Sequence, residues 1–195
     1  MGRTRATLSG LACAFVAFAT PAAAFTAIDP LTRQPLYRAE DEASRAQASP
    51  VPREVVSFNG RYAPGTIVVS TSERRLYYVM GDGKALRYGV GVGRPGFTWG
   101  GSNTITMKRE WPDWRPPAEM LKRRPDLPRY MKGGLDNPLG ARAMYLGSTI
   151  YRIHGSNEPE TIGEAVSSGC IRMTNEDVID LYNRAKVGAR VIVQR

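Results

Sequence analysis

RLYYVMGDGKALRYGVGV, residues 75–92, is two β-prone runs joined by a turn. Arg75 to Met80 is aromatic and β-branched, Gly81-Asp82-Gly83-Lys84 offers glycines for positive φ, and Ala85 to Val92 resumes the pattern. Such an arrangement predicts a β-hairpin. Upstream, Thr66 to Ser70 is another β-branched run. Downstream, Ala143 to Leu146, Thr149 to Ile153 and Ala189 to Val193 are further strand candidates. One segment departs from this period. Asn175 to Lys186 brings Val178, Leu181, Tyr182 and Ala185 to one side of a helix, with Thr174 and Asp177 spaced as an N-cap. The fold class is therefore mainly β with a short C-terminal helix.

Arg94 to Gly140 is dense in Pro, Gly, Trp and Arg and has little periodicity, so it is expected to be a long lid or substrate-binding loop. Tryptophans beside prolines, as at Trp111 and Trp114, often pack a loop onto its domain. Gly91-Val92-Gly93-Arg94-Pro95-Gly96 satisfies the dinucleotide pattern G-x-G-x-x-G, but Pro95 and the glycines that follow forbid the helix this pattern requires. A nucleotide site is not expected there.

Three regions follow from composition. Met1 to Ala24 opens with Arg3 and Arg5, continues through an apolar stretch and ends in Ala22-Ala23-Ala24, so residues 1–24 are expected to be a cleavable signal peptide. The apolar run falls short of the roughly 20 residues of a spanning helix, and Gly10 stands where lipidation of Cys13 would call for a branched apolar residue. Residues 25–54, rich in Arg, Ala, Glu, Gln and Pro, are expected to be a flexible linker. Residues 55–195, about 140 in number, suffice for one domain with a single core. The net charge of +9, two of it from the leader arginines, favours anionic surroundings. Export and the scatter of the arginines argue against nucleic acid, leaving a wall or membrane surface, with a periplasmic location expected.

Removal of the leader takes Cys13 with it and leaves Cys170 as the only cysteine, in a compartment where thiols usually pair. His154 is the only histidine of the chain. Both sit among small residues, Gly155-Ser156 after the histidine and Ser167-Ser168-Gly169 before the cysteine, which leaves room for a substrate backbone. A thiol attacks carbonyl carbon as thiolate and needs a proton acceptor, a role suited to an imidazole whose ordinary pKa is about 6.5. A backbone carbonyl just after His154 can fix the imidazole tautomer. Backbone N–H groups of the Gly169-Cys170 turn are candidate oxyanion donors. Arg172, two residues beyond Cys170 and on the same face of an extended segment, can hold a carboxylate or lower the thiol pKa. One histidine and one cysteine do not make a usual metal site, and acyl transfer by thiol and imidazole requires no cofactor.

The run His154-Gly155, Ser167-Ser168-Gly169-Cys170-Ile171-Arg172-Met173, Asn175, Asp177 and Leu181-Tyr182 resembles the signature of the L,D-transpeptidase catalytic domain family, also called YkuD or ErfK/YbiS/YcfS/YnhG. The resemblance extends through Trp111 to Pro117, Asp136 to Gly140 and Tyr145-Leu146, and so covers most of residues 65–195. It implies a β-sandwich with the cysteine in a cleft beneath a lid. By that resemblance Cys170 is the nucleophile, His154 the base, the Gly155 carbonyl its orienter and Arg172 a substrate or oxyanion contact. Ser167, Ser168, Gly169, Trp111 and Trp114 would meet substrate. Many relatives carry histidine where this chain has Ser168, which bears on substrate preference and pH optimum.

The implied partners are peptidoglycan stem peptides and, as acceptor, an amine of another stem or of an outer-membrane protein. A hydrolase in which water resolves the acyl-enzyme and a silent wall-binding module are the competing readings, the last disfavoured by the intact Cys170, His154 and Arg172.

Overall fold

The computed structural model describes residues 49–195; the expected signal peptide and residues 25–48 of the expected linker lie outside the described residues. In chain order the strands are β1 (Glu54–Ser57), β2 (Ile67–Ser70), β3 (Arg75–Gly81), β4 (Lys84–Gly89), β5 (Val92–Gly93) and β6 (Gly101–Glu110). They continue as β7 (Arg142–Leu146), β8 (Arg152–His154), β9 (Ala165–Ser167), β10 (Ile171–Arg172) and β11 (Arg190–Gln194). Two helices interrupt them, α1 (Ala118–Arg123) and α2 (Asn175–Arg184).

The hairpin forms where the sequence predicts it. β3 and β4 pair antiparallel from Arg75↔Gly89 to Val79↔Ala85, and the turn places Gly81, Asp82 and Gly83 all at positive φ. β2, buried at all four positions, lies antiparallel to β3 and parallel to β11. β1 covers the outer edge of β4. The segment just before it is docked rather than loose. Val51 lies against Gly89, where an added Cβ would stand 2.5 Å from the valine Cβ. Arg53 reaches Asp177 at 3.6 Å and Asp180 at 3.4 Å.

The interval 94–140 is not one irregular loop. Its middle is β6, a ten-residue strand in which only Ile105 is buried, so apolar alternation is missing. Backbone pairing holds it instead. Its first half pairs with β11, from Gly101↔Val193 to Thr104↔Arg190, and its second half with β7, from Ile105↔Leu146 to Glu110↔Arg142. A register shift between Ile105 and Met107 accompanies the transfer from one partner to the other. β6 thus joins two halves of a nine-stranded sheet of order β1-β4-β3-β2-β11-β6-β7-β8-β10. Ile67, Leu76 and Tyr88 from one half and Met144, Ile153 and Ile171 from the other share one buried core, the sandwich-like packing that the family resemblance implied. The lid proper shrinks to 111–140 and contains α1.

One strand boundary shifts for a local reason, and α2 ends at Arg184, two residues short of the expected Lys186. The strand expected from Thr149 starts at Arg152, because Thr149 Oγ1 donates to the Leu146 carbonyl at 2.6 Å and accepts from the Tyr151 N–H at 3.1 Å, closing a turn. α2 begins as expected, with Thr174 Oγ1 accepting from the Asp177 N–H at 3.2 Å. Its other end is closed by Lys108 of β6, whose Nζ donates to the carbonyls of Tyr182 and Ala185 at 2.5 and 2.7 Å.

Candidate active site

β8 and β10 run parallel, with Ile153 opposite Ile171 and His154 opposite Arg172. This pairing, reinforced by the Met173 N–H donating to the His154 carbonyl at 2.8 Å, brings the two sequence-distant motifs side by side. Cys170 occupies the residue before β10, at the end of the turn Ser167-Ser168-Gly169. Gly169 sits at φ 110°, and a Cβ there would stand 2.6 Å from the Tyr151 ring, so this position accepts only glycine.

The turn is fastened from both sides. Ser167 Oγ donates to the Cys170 carbonyl at 2.6 Å and accepts from the Gly169 N–H at 3.0 Å. Trp99 Nε1 donates to the Gly169 carbonyl at 2.7 Å, and the indole stacks on Tyr151 with centroids 4.4 Å apart. Two sequence expectations change accordingly. Ser167 is buried, and its hydroxyl is committed to the turn rather than to substrate. The Gly169 N–H is likewise engaged, whereas the Cys170 N–H has no acceptor among the described residues.

His154 is buried, and its Nδ1 lies 2.6 Å from the Gly155 carbonyl oxygen. A carbonyl only accepts, so Nδ1 carries the hydrogen and Nε2 keeps its lone pair. Burial, seconded by the nearby Arg172 charge, lowers the His154 pKa to about 3, with the Gly155 bond opposing. The ordinary imidazole value expected from sequence is therefore not the one the fold imposes. Burial also pushes the Cys170 thiol up, against the pull of Arg152 and Arg172. At neutral pH the cleft therefore holds a neutral thiol and a neutral imidazole.

Gly155 has a packing duty as well. A Cβ there would meet the Ala141 nitrogen at 3.0 Å and the Gly140 Cα at 3.2 Å, so its absence admits the chain behind the imidazole. Asn175 Oδ1 secures that chain by accepting from the Ala141 N–H at 2.8 Å.

Cys170, His154, Arg172, Ser167, Ser168 and Trp114 line one cleft of about 850 Å³. Gly155 and Gly169 stand behind its wall rather than in it. Trp111 does not line it: this residue starts the lid at φ 41°, is 39% exposed, and its backbone N–H donates to the Ala141 carbonyl at 2.8 Å. Arg172 faces the cleft but is paired with Glu158 at 2.8 Å.

Sequence reasoning missed the supports. Trp99, Tyr151 and Asn175 hold the turn and the base, and only Asn175 belonged to a quoted motif. Buried Asn137 pins the lid by donating to the carbonyls of Pro112, Met131 and Lys132. The Gly91–Gly96 run lies on β5 and a turn, and no helix opens there, in agreement with the sequence reading.

The YkuD L,D-transpeptidase catalytic domain matches residues 64–193, and the chain belongs to that family. A protein of Escherichia coli K12 named probable L,D-transpeptidase ErfK/SrfK is 39% identical over 134 residues, covering 64% of this chain and 42% of that protein. The chain thus spans about two fifths of that relative's length.

Among solved structures, a Brucella melitensis protein described as a probable carnitine operon oxidoreductase is 47% identical, with a TM-score of 0.50 over 73% of this chain and 93% of that one. L,D-transpeptidase 3 of Mycobacterium tuberculosis, solved with a faropenem-derived adduct, shares the fold at a TM-score of 0.53 and 23% identity over 67% of this chain and 60% of that one.

Proposed function

We propose that the chain is a peptidoglycan L,D-transpeptidase that carries the acyl group of a tetrapeptide stem as a thioester on Cys170 and passes it to an amine. The observation that carries this reading is the His154 Nδ1 contact with the Gly155 carbonyl at 2.6 Å, which turns an unprotonated Nε2 toward a cleft shared with Cys170. Family membership supplies the reaction class.

In this mechanism His154 Nε2 takes the thiol proton as sulfur attacks the stem carbonyl, and the tetrahedral oxyanion faces the Cys170 N–H. Collapse breaks the amide bond to the terminal D-alanine, whose nitrogen receives the proton from His154. An acceptor amine then attacks the thioester, losing its proton to the same nitrogen, and the thiol is restored. The acceptor is an amine of a second stem or of an outer-membrane protein, and the expected leader implies a periplasmic site of action.

Mass spectrometry of products formed from disaccharide tetrapeptide by the purified protein tests the proposal. A dimer joined between two diaminopimelates is the expected result. Tripeptide with free D-alanine and no dimer would mean hydrolysis or an acceptor protein absent from the mixture, and unchanged substrate would defeat the reading.

A further inference from the structure

Five arginines line the cleft: Arg94, Arg123, Arg124, Arg152 and Arg172. Arg172, the one the sequence singles out, is neutralised by Glu158 at 2.8 Å, and Arg124 by Asp126 at 2.6 Å. Arg152 has no carboxylate partner among the described residues, and its Nε is buried without an acceptor. Its place is nevertheless well defined. It pairs with Tyr145 in the β7–β8 register, and its guanidinium lies 5.0 Å from the centre of that ring. Its NH1 donates to the Ile150 carbonyl at 3.3 Å, the same oxygen that lies 3.9 Å from Cys170 Sγ. One carbonyl thus gathers guanidinium and thiol.

Resting on the reading of Cys170 as nucleophile, we infer that Arg152 is the cation that compensates the negative charge formed on Cys170 sulfur as its proton passes to His154. Arg172 is left to serve the substrate side of the cleft. The other charged or titratable groups around the thiol fit this division. Neutral His154 stands on β8, the Arg172–Glu158 pair spans β10 and the loop after β8, and Arg94 reaches Ser168 Oγ at 3.4 Å. Tyr151 is engaged by its stack on Trp99. Burial pushes the thiol up, and of the groups opposing it the Arg152 N–H and charge precede the Arg172 charge. A positive charge held beside a half-buried sulfur acts with little screening, so its removal weighs on the thiolate.

The test follows alkylation of the peptide bearing Cys170 by iodoacetamide across pH, by mass spectrometry, in the full chain and its variants. Arg152→Gln is expected to lower the rate at pH 7 about tenfold and to move the inflection up by about one pH unit. Arg152→Lys, which keeps the charge, should stay within about threefold of the parent, and Arg172→Gln should shift the profile less than Arg152→Gln. A profile for Arg152→Gln that superposes on the parent's, or a larger shift for Arg172→Gln, would overturn the assignment. Should the Gln variant fail to fold, Arg152→Met, which keeps an apolar stem over Tyr145, gives the same comparison. This readout needs no peptidoglycan. A protein that alkylates as described but forms no product from stem peptide defeats the proposed function and not the role of Arg152.

Discussion

The indole N–H of Trp99 donates to the carbonyl of Gly169, one residue before Cys170, at 2.7 Å. The donor comes from the loop leading into β6 and the acceptor from the turn before β10, so one bond ties that loop to the turn that carries Cys170. Replacing Trp99 by Phe keeps a ring over Tyr151 and deletes the donor. The expected loss is about 1 kcal/mol of stability, by thermal melting, with a fall in turnover of about tenfold because the thiol is no longer held in register. Equal turnover would show that Ser167 alone holds the turn.

The buried imidazole makes stability depend on pH. His154 binds its proton at about 3 in the folded chain and near 6.5 when unfolded, so the unfolded state takes up more protons between those values. The stability contributed by keeping the ring neutral is complete above pH 6.5 and drains away as pH falls toward 3. The total is on the order of 5 kcal/mol, and melting temperature should drop steadily on acidification. His154→Gln should flatten that slope and lower the turnover rate by at least about a hundredfold. A parent melting curve unchanged from pH 7 to 5 would contradict the burial of the ring.

Asn137 is almost wholly buried and donates to three lid carbonyls while its Oδ1 accepts from the Leu139 N–H at 2.9 Å. Asn137→Ala removes the partner of the Leu139 N–H and of the Pro112 and Lys132 carbonyls, while the Met131 carbonyl keeps the Trp114 N–H, at a cost of about 2 kcal/mol. The loss should be local: faster amide exchange across 112–139, with the hairpin β3–β4 unchanged. Uniform acceleration over the whole chain would mean that lid and sheet unfold together.

On the proposed function, imipenem should acylate Cys170, seen as an intact-mass increase equal to one inhibitor. Cys170→Ala should neither gain that mass nor turn over substrate, while its far-UV spectrum stays that of the parent, since the change is small and lies on a turn. An unmodified parent protein would count against a reactive thiol at this position.

What could be read from sequence was local in its physics. The β3–β4 hairpin follows from a turn that demands positive φ at Gly81 and Gly83. The start of α2 follows from a threonine hydroxyl three residues from the N–H it caps. The candidate pair of Cys170 and His154 was legible because His154 is the only histidine of the chain and Cys170 the only cysteine after Cys13. Its resemblance to the family's signature pointed to the Gly155 carbonyl beside the ring, and the structure has that contact.

Tertiary structure decided the rest. β6 carries one buried side chain in ten and exists because β11 and β7 pair with its backbone from either side, a stabilisation that no residue pattern encodes. Ser167 and the Gly169 N–H were expected to meet substrate, yet they satisfy each other because a tight turn leaves them within reach. Protonation states were decided in the same way. Composition assigns His154 an ordinary imidazole, whereas its depth and a neighbouring arginine hold it neutral. Local sequence specifies hydrogen bonds a few residues apart; burial, charge proximity and strand partnership depend on residues brought together only by the completed fold.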